Sequence, residues 1–279
     1  MVERIDAHHH FWRYTPAEYG WIDARMSQLR RDFLPADFEK DVHSAGLDGV
    51  VTVQVRQSLA ETAWLLSLAA GSAFVRGVVG WVPIASKRLQ ADLELFREQK
   101  KLKGLRHLIQ DEPDENYLDR PDFNRGIASL KGSHLVYDIL IFERQLAAAI
   151  RFVDRHPNQV FVLDHMAKPR IREGMMEPWR SNLSELARRE NVYCKLSGLV
   201  TEAVWKMWSE EDLRKYVEVA LAAFGPRRMM VGSDWPVCLL ATTYGEWFDT
   251  VGRLISPLSA TEKERILGGT AIEVYRLHD

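Results

Sequence analysis

Three histidines stand in a row at His8-His9-His10, directly after Ile5-Asp6-Ala7, in a chain with nine histidines in all. Alternate side chains of a β-strand share a face, so His8 and His10 point one way and His9 the other. Two imidazoles aimed at one point suit a metal ion or a developing negative charge. An expression tag is the bland alternative. A tag, however, is a longer run in a flexible leader, and this triplet sits in a strand-like context.

Other titratable residues recur at the ends of short apolar runs. These are Arg106-His107, Tyr137-Asp138, Asp164-His165 with Lys168-Pro169, Lys195 with Ser197, and Ser233-Asp234-Trp235-Pro236. Singly each reads as a cap or a satisfied polar group. Jointly they matter if the runs are strands whose ends converge on one mouth.

The elements that would position them alternate along the whole chain. Strands are expected at 4–10, 49–54, 75–82, 104–109, 134–139, 160–163, 192–195 and 229–232. Apolar residues at i, i+3 and i+4 predict helices at 60–70, 87–100, 143–155, 179–189 and 210–224, with further helical material at 244–255 and 261–267. His156-Pro157-Asn158 and Phe224-Gly225-Pro226 punctuate helix ends. Eight β units with helices between them, and no composition break, predict one (β/α)8 barrel over residues 1–279. An open doubly wound sheet is the alternative, but no glycine-rich phosphate turn follows an early strand. Residues 11–37 form a long first βα loop, expected near the mouth.

Bulk composition narrows the classes. The chain has 279 residues, 46% hydrophobic and 27% charged, with a formal net charge of −2, so nothing points to nucleic acid. Its two cysteines, Cys194 and Cys238, argue against a disulfide scaffold and fit a reducing compartment. No signal-peptide pattern is evident, and no apolar run approaches the ~18 residues of a membrane span. A cytoplasmic protein is expected; homo-oligomerisation is left open.

The motifs together resemble the amidohydrolase superfamily: His8-X-His10 on the first strand, His165 after the sixth and Asp234 after the eighth. Asp6-Ala7-His8-His9-His10-Phe11-Trp12, Gly104-Leu105-Arg106-His107, Asp164-His165-Met166-Ala167-Lys168-Pro169, Lys195-Leu196-Ser197-Gly198 and Gly232-Ser233-Asp234-Trp235-Pro236 are similar to the amidohydrolase 2 branch. Within it they resemble the sugar- and dicarboxylate-lactone hydrolases, the L-fuconolactonase, L-rhamnonolactonase and 2-pyrone-4,6-dicarboxylate lactonase group. The resemblance implies a TIM barrel that hydrolyses a sugar (aldono-) lactone to the free acid.

It also implies the roles. Asp234 is the expected base that activates water, with His8, His10 and His165 polarising the carbonyl directly or through a metal. Those four residues are the expected ligands if a single Zn²⁺ or Mn²⁺ is bound, an ion expected to be dispensable. A binuclear centre is not expected, because Arg106 occupies the strand-4 region where binuclear relatives carry a bridging group. Arg106, His107, Lys195, Tyr137, Trp81 and Trp235 are the expected substrate-binding residues, although Lys195 could equally pair with a buried acid inside the barrel. His9 reads as a packed bystander. A metal-dependent non-oxidative decarboxylase on the same barrel, and a non-catalytic binding barrel, are the competing readings.

Overall fold

The computed structural model describes residues 3–278. Eight strands pair in sequence order, every neighbour parallel. They are β1 (Ile5–His9), β2 (Gly49–Val53), β3 (Val75–Gly80), β4 (Leu102–His107), β5 (Val136–Ile139), β6 (Phe161–Leu163), β7 (Val192–Leu196) and β8 (Met229–Val231). The ladder closes just past the strand ends. His10 N donates to Trp235 O at 2.7 Å and Asp234 N donates to His8 O at 2.7 Å. The expected (β/α)8 barrel is therefore present, and the seam between its first and last strands runs through the histidine triplet.

Valines dominate the strand interiors, as expected for strands covered on both faces. Val51, Val53, Val79, Val136 and Val162 meet Ile5, Ala7 and Met230 inside the barrel. The C-terminal segment plugs the floor, where Ala271, Val274 and Tyr275 join the same cluster.

The helices follow the expected pattern in the long periodic stretches. Helix Leu59–Gly71 starts at Ser58, whose side chain accepts from Glu61 N, and helix Glu210–Phe224 starts at a Ser209–Asp212 capping box. Two expectations change. The helix expected at 87–100 is only Leu89–Glu94, because the chain tightens afterwards into i→i−3 turns (Phe96 N to Leu93 O, Gln99 N to Phe96 O) before β4. The helix expected at 143–155 splits into a 3₁₀ turn, Glu143–Gln145, and a helix, Leu146–Arg155. Helices Pro35–Ser44 and Pro121–Ser129 were not expected. Each opens on proline, which suits a first helical turn, and each is short and buries only two or three residues of its face.

The segment between β1 and helix Pro35–Ser44 is pinned at its base. Trp12 and Phe33 exchange backbone hydrogen bonds of 3.0 and 2.9 Å. Between them a 3₁₀ turn, Ala24–Leu29, folds over the barrel mouth. No helix among the described residues is long and apolar enough to cross a membrane.

Candidate active site

A register shift in β1 aims the first ligands. Between Asp6 and His9, β1 holds one residue more than its partner β2 (Asp6 pairs with Val50, His9 with Thr52). Such a bulge re-aims side chains beside many active sites. Here it turns Asp6 outward while Ala7 packs inside and His8 reaches across the barrel towards Arg106, Asp164 and Lys195. Simple alternation would have put Asp6 beside His8. Instead the Asp6 carboxylate accepts from Ser233 N at 2.9 Å, Ser233 Oγ at 2.6 Å, His8 N at 3.1 Å and Tyr244 OH at 3.1 Å. It thus clips the β8 exit to β1. Burial pushes its pKa up to about 6 in spite of the donors from Ser233, His8 and Tyr244.

Three imidazoles converge on one carboxylate oxygen. Asp234 Oδ1 lies 3.2 Å from His10 Nε2, 3.8 Å from His8 Nε2 and 4.0 Å from His165 Nε2. His10 Nδ1 is 2.8 Å from Val53 O, which can only accept, so Nδ1 carries the hydrogen. In neutral His10 the Nε2 lone pair then faces a carboxylate. Only a positive charge between the two, a proton or a metal ion, makes that arrangement favourable. His8, His10 and Asp234 offer ligand atoms within 4.8 Å of one another, and this donor chemistry fits a single divalent ion.

Asp164, His165 and His8 form a second such group. Asp164, however, already pairs with Arg106 at 3.0 Å and Lys195 at 3.0 Å. Two cations leave that carboxylate no charge to offer a second ion.

Electrostatics separate the groups. Burial pushes Asp234 up, but the neighbouring His165 and His10 more than offset it and hold the carboxyl below the usual range. Burial lowers His165 to about 4, against the pull of Asp234 and Asp164. Burial likewise drives His8 well below its ordinary value, despite Asp164. Asp234 is therefore a carboxylate, and His8 and His165 are neutral imidazoles, at neutral pH.

The turn carrying His165 is backbone-strained. His165, Met166, Ala167 and Lys168 all have positive φ, between 51° and 59°. Each left-handed non-glycine residue costs ~1–2 kcal/mol, so the surroundings must hold the turn. Trp179 Nε1 donates to Met166 O at 2.8 Å, and His165 Nδ1 is bonded to Ser197 Oγ at 2.9 Å. Gly198, at φ +67°, lies against the ring; a Cβ there would sit 2.6 Å from His165 Nδ1. Gly198→Ala is accordingly expected to push His165 off the Asp234 carboxylate. Activity should fall at least ~10-fold, since misplacement of about 1 Å can cost 10². Steady-state kinetics beside a melting curve would test this; kcat within twofold of wild type would refute it.

Beneath the histidines lies a sealed charge network. Lys195 Nζ is 2.6 Å from Asp138 Oδ2, 3.0 Å from Asp164 Oδ1 and 3.2 Å from His8 Nδ1, with all four side chains fully buried. Tyr275 OH, rising from the floor, donates to Asp138 at 2.8 Å. Burial raises Asp138 to about 6 against the opposing pull of Lys195.

Above the histidines opens a cavity of about 290 Å³. His10, His165, Asp234 and Arg106 are in its wall. Trp21 and Met26 from the first loop, with Val237 and Leu240 after β8, supply apolar lining; Gln110, Asp111, Lys168, Thr201 and Glu202 supply polar lining.

Four of the expected substrate contacts, together with Lys195, lie outside the lining of this cavity. Arg106 points inward, so its strand neighbour His107 points outward. There His107 stacks on Tyr117, accepts from Trp81 Nε1 at 3.2 Å and donates to Glu112 at 2.6 Å. Trp81 is thereby engaged away from the cavity. Tyr137 faces the helices, among Phe123, Phe152 and Phe161, because its neighbour Asp138 takes the interior position. Trp235 stacks on Phe38 at 4.0 Å behind the seam. Lys195 is buried below the site and pairs with acids instead of facing the cavity. His9 faces outward and bonds Thr52 Oγ1 at 2.8 Å.

Sequence reasoning missed Asp6 as a clip and Asp164 as the partner of three basic groups. It also missed Glu202 as part of the cavity lining. An Asp-His pair at a strand exit, in a chain with a lysine and an arginine expected in the same barrel, was the available signal for Asp164.

Known proteins agree with this geometry. The chain is 45% identical to an L-fucono-1,5-lactonase of Burkholderia multivorans, over 98% of this chain and 96% of the relative. It is 36% identical to an L-fucono-1,5-lactonase of Burkholderia ambifaria, over 99% and 97%. A crystal structure of a Burkholderia multivorans amidohydrolase with bound zinc superposes with a TM-score of 0.95 at 44% identity, covering 99% of each chain. The amidohydrolase family (Amidohydro_2) matches residues 5–277, and with that match spanning the barrel from β1 to the C-terminal plug, this chain belongs to the amidohydrolase family.

Proposed function

We propose that the protein is a lactonase that opens a sugar lactone of the L-fucono-1,5-lactone type to the free aldonic acid. The observation that carries this is the convergence of three imidazole nitrogens on the Asp234 carboxylate at the wall of a monosaccharide-scale cavity. Two relatives at 36% and 45% identity carry that activity in their names, which supports the substrate class.

Lactone hydrolysis needs a base for the attacking water, an electrophile for the carbonyl oxygen and a proton for the departing ring oxygen. Asp234, held ionised, takes the proton from water and later returns it to the ring oxygen. His8, His10, His165 and Asp234 would hold one divalent ion, Zn²⁺ or Mn²⁺, and a similar amidohydrolase structure contains bound zinc. When bound, such an ion supplies Lewis acidity towards the carbonyl oxygen. Arg106 borders the cavity with its guanidinium anchored by Asp164 and the Gln54 carbonyl. Gln110, Thr201 and Glu202 face the sugar hydroxyls, and Trp21 and Met26 cover its less polar face.

The cavity suits an uncharged lactone better than a dicarboxylate. Arg106 is already paired and Lys195 is sealed, which leaves Lys168 as the cavity cation that forms no ion pair among the described residues. A role in cytoplasmic sugar catabolism goes with this substrate.

A pH-indicator assay over a panel of aldonolactones tests the reading. Turnover of the L-fucono-type lactone is expected. Inert lactones, or release of CO₂ from a hydroxybenzoate with a tightly bound metal, would replace it with the decarboxylase alternative. Exhaustive chelation, followed by metal analysis, is expected to lower the rate by less than Asp234→Asn does, because the base and the imidazoles remain. Complete loss restored only by zinc would show the ion to be indispensable.

A further inference from the structure

We propose that Lys168 is a catalytic residue that donates a hydrogen bond to the ring oxygen as the lactone opens. The inference rests on the lactonase reading. In the balanced step, the water oxygen bonds to the carbonyl carbon and its proton goes to Asp234. The carbonyl carbon–ring oxygen bond then breaks, and the pair stays on oxygen as an alkoxide. Lys168 stabilises that alkoxide until Asp234 returns the proton, and keeps its own protons throughout.

The first argument is the backbone. The left-handed backbone that begins at His165 continues through Met166 and Ala167 to Lys168. Lys168 N donates to His165 O at 2.8 Å, a three-residue repeat. In such a turn the side chains of residues i and i+3 eclipse. The strained run therefore brings Lys168 onto the same side as His165, and both border the cavity with Asp234.

The second argument is availability. Arg106 and Lys195 are each paired with buried carboxylates. Among the described residues Lys168 makes no ion pair; its Nζ rests 5.3 Å from the centre of the Phe142 ring, which seats a cation without consuming its donors. Glu202, also in the cavity lining, is pushed up by burial against the pull of Lys168 and makes no ion pair with that ammonium. A leaving alkoxide is far more basic than the groups already present, and it is the charge that lacks a donor.

The test is chemical rescue. Lys168→Cys is expected to lower kcat roughly 10²-fold with KM within about threefold. Alkylation with 2-bromoethylamine rebuilds a lysine-like amine there and is expected to restore most of kcat. Cys194 and Cys238 are fully buried, so native wild-type enzyme treated in parallel should be unchanged. Lys168→Asn, compatible with left-handed backbone, should show the same loss if the cysteine variant does not fold. A kcat within threefold of wild type, a loss confined to KM, or no rescue in a folded, alkylated variant would each overturn the proposal. A wild-type protein with no lactonase activity would overturn the parent reading and this one with it.

Discussion

Asp234→Asn is expected to lower kcat on its lactone substrate by about 10³- to 10⁴-fold while leaving the fold intact. Loss of a positioned base alone costs about 10²–10⁴. The same substitution removes the negative charge on which His8, His10 and His165 converge, so the upper half of that range applies. The fold should survive for two reasons. Asp234 sits at φ 60°, a region asparagine tolerates well, and its backbone N–H to His8 O does not involve the side chain. Stopped assays at high enzyme concentration, with circular dichroism as control, measure this. Turnover within tenfold of wild type would remove Asp234 from the mechanism.

Lys195→Met is expected to destabilise the barrel by about 3–5 kcal/mol, the usual consequence of stripping one partner from a buried ion pair. The residue is fully buried and satisfies both Asp138 and Asp164, so its loss leaves excess negative charge in the interior. Partial relief should come from adding Asp138→Asn, which removes one unmatched carboxylate while keeping an acceptor for Tyr275. Urea unfolding with unchanged m-values would measure both effects. A single variant within 1 kcal/mol of wild type, on the scale of an exposed pair, would mean that the network is better hydrated than its burial indicates.

The architecture was legible because each strand is a short β-branched or apolar run and most long helices carry a clear 3.6-residue period. Helix Glu210–Phe224 matched its expected bounds at both ends. Helix Pro35–Ser44 was hidden because only Phe38 and Val42 of its face are buried. His8, His10, His165, Asp234 and Arg106 could be found from strand exits because barrel topology forces those exits together. The direction of each exit residue was harder. His107 next to Arg106, and Tyr137 next to Asp138, differ by one residue in sequence and by the whole thickness of the barrel wall in space. Two-residue alternation settles such pairs only once one member's direction is known, and nothing local reveals it. The bulge in β1 shifts that alternation again at Asp6, through a pairing with β2 that lies more than forty residues away.

The seam gives the molecule a built-in order of events. His10 and Asp234 stand 224 residues apart, one at the chain's first strand and the other beyond its last. The first strand of the barrel is made before the other seven, and its histidines stay unmatched until residue 234 has been added. No truncated or half-wound intermediate can assemble the histidine–aspartate cluster. Hydrolysis therefore reports closure of the barrel, and whatever the cluster binds acts as a latch on a contact spanning 224 residues, since a ligand that occupies only the closed form favours closure.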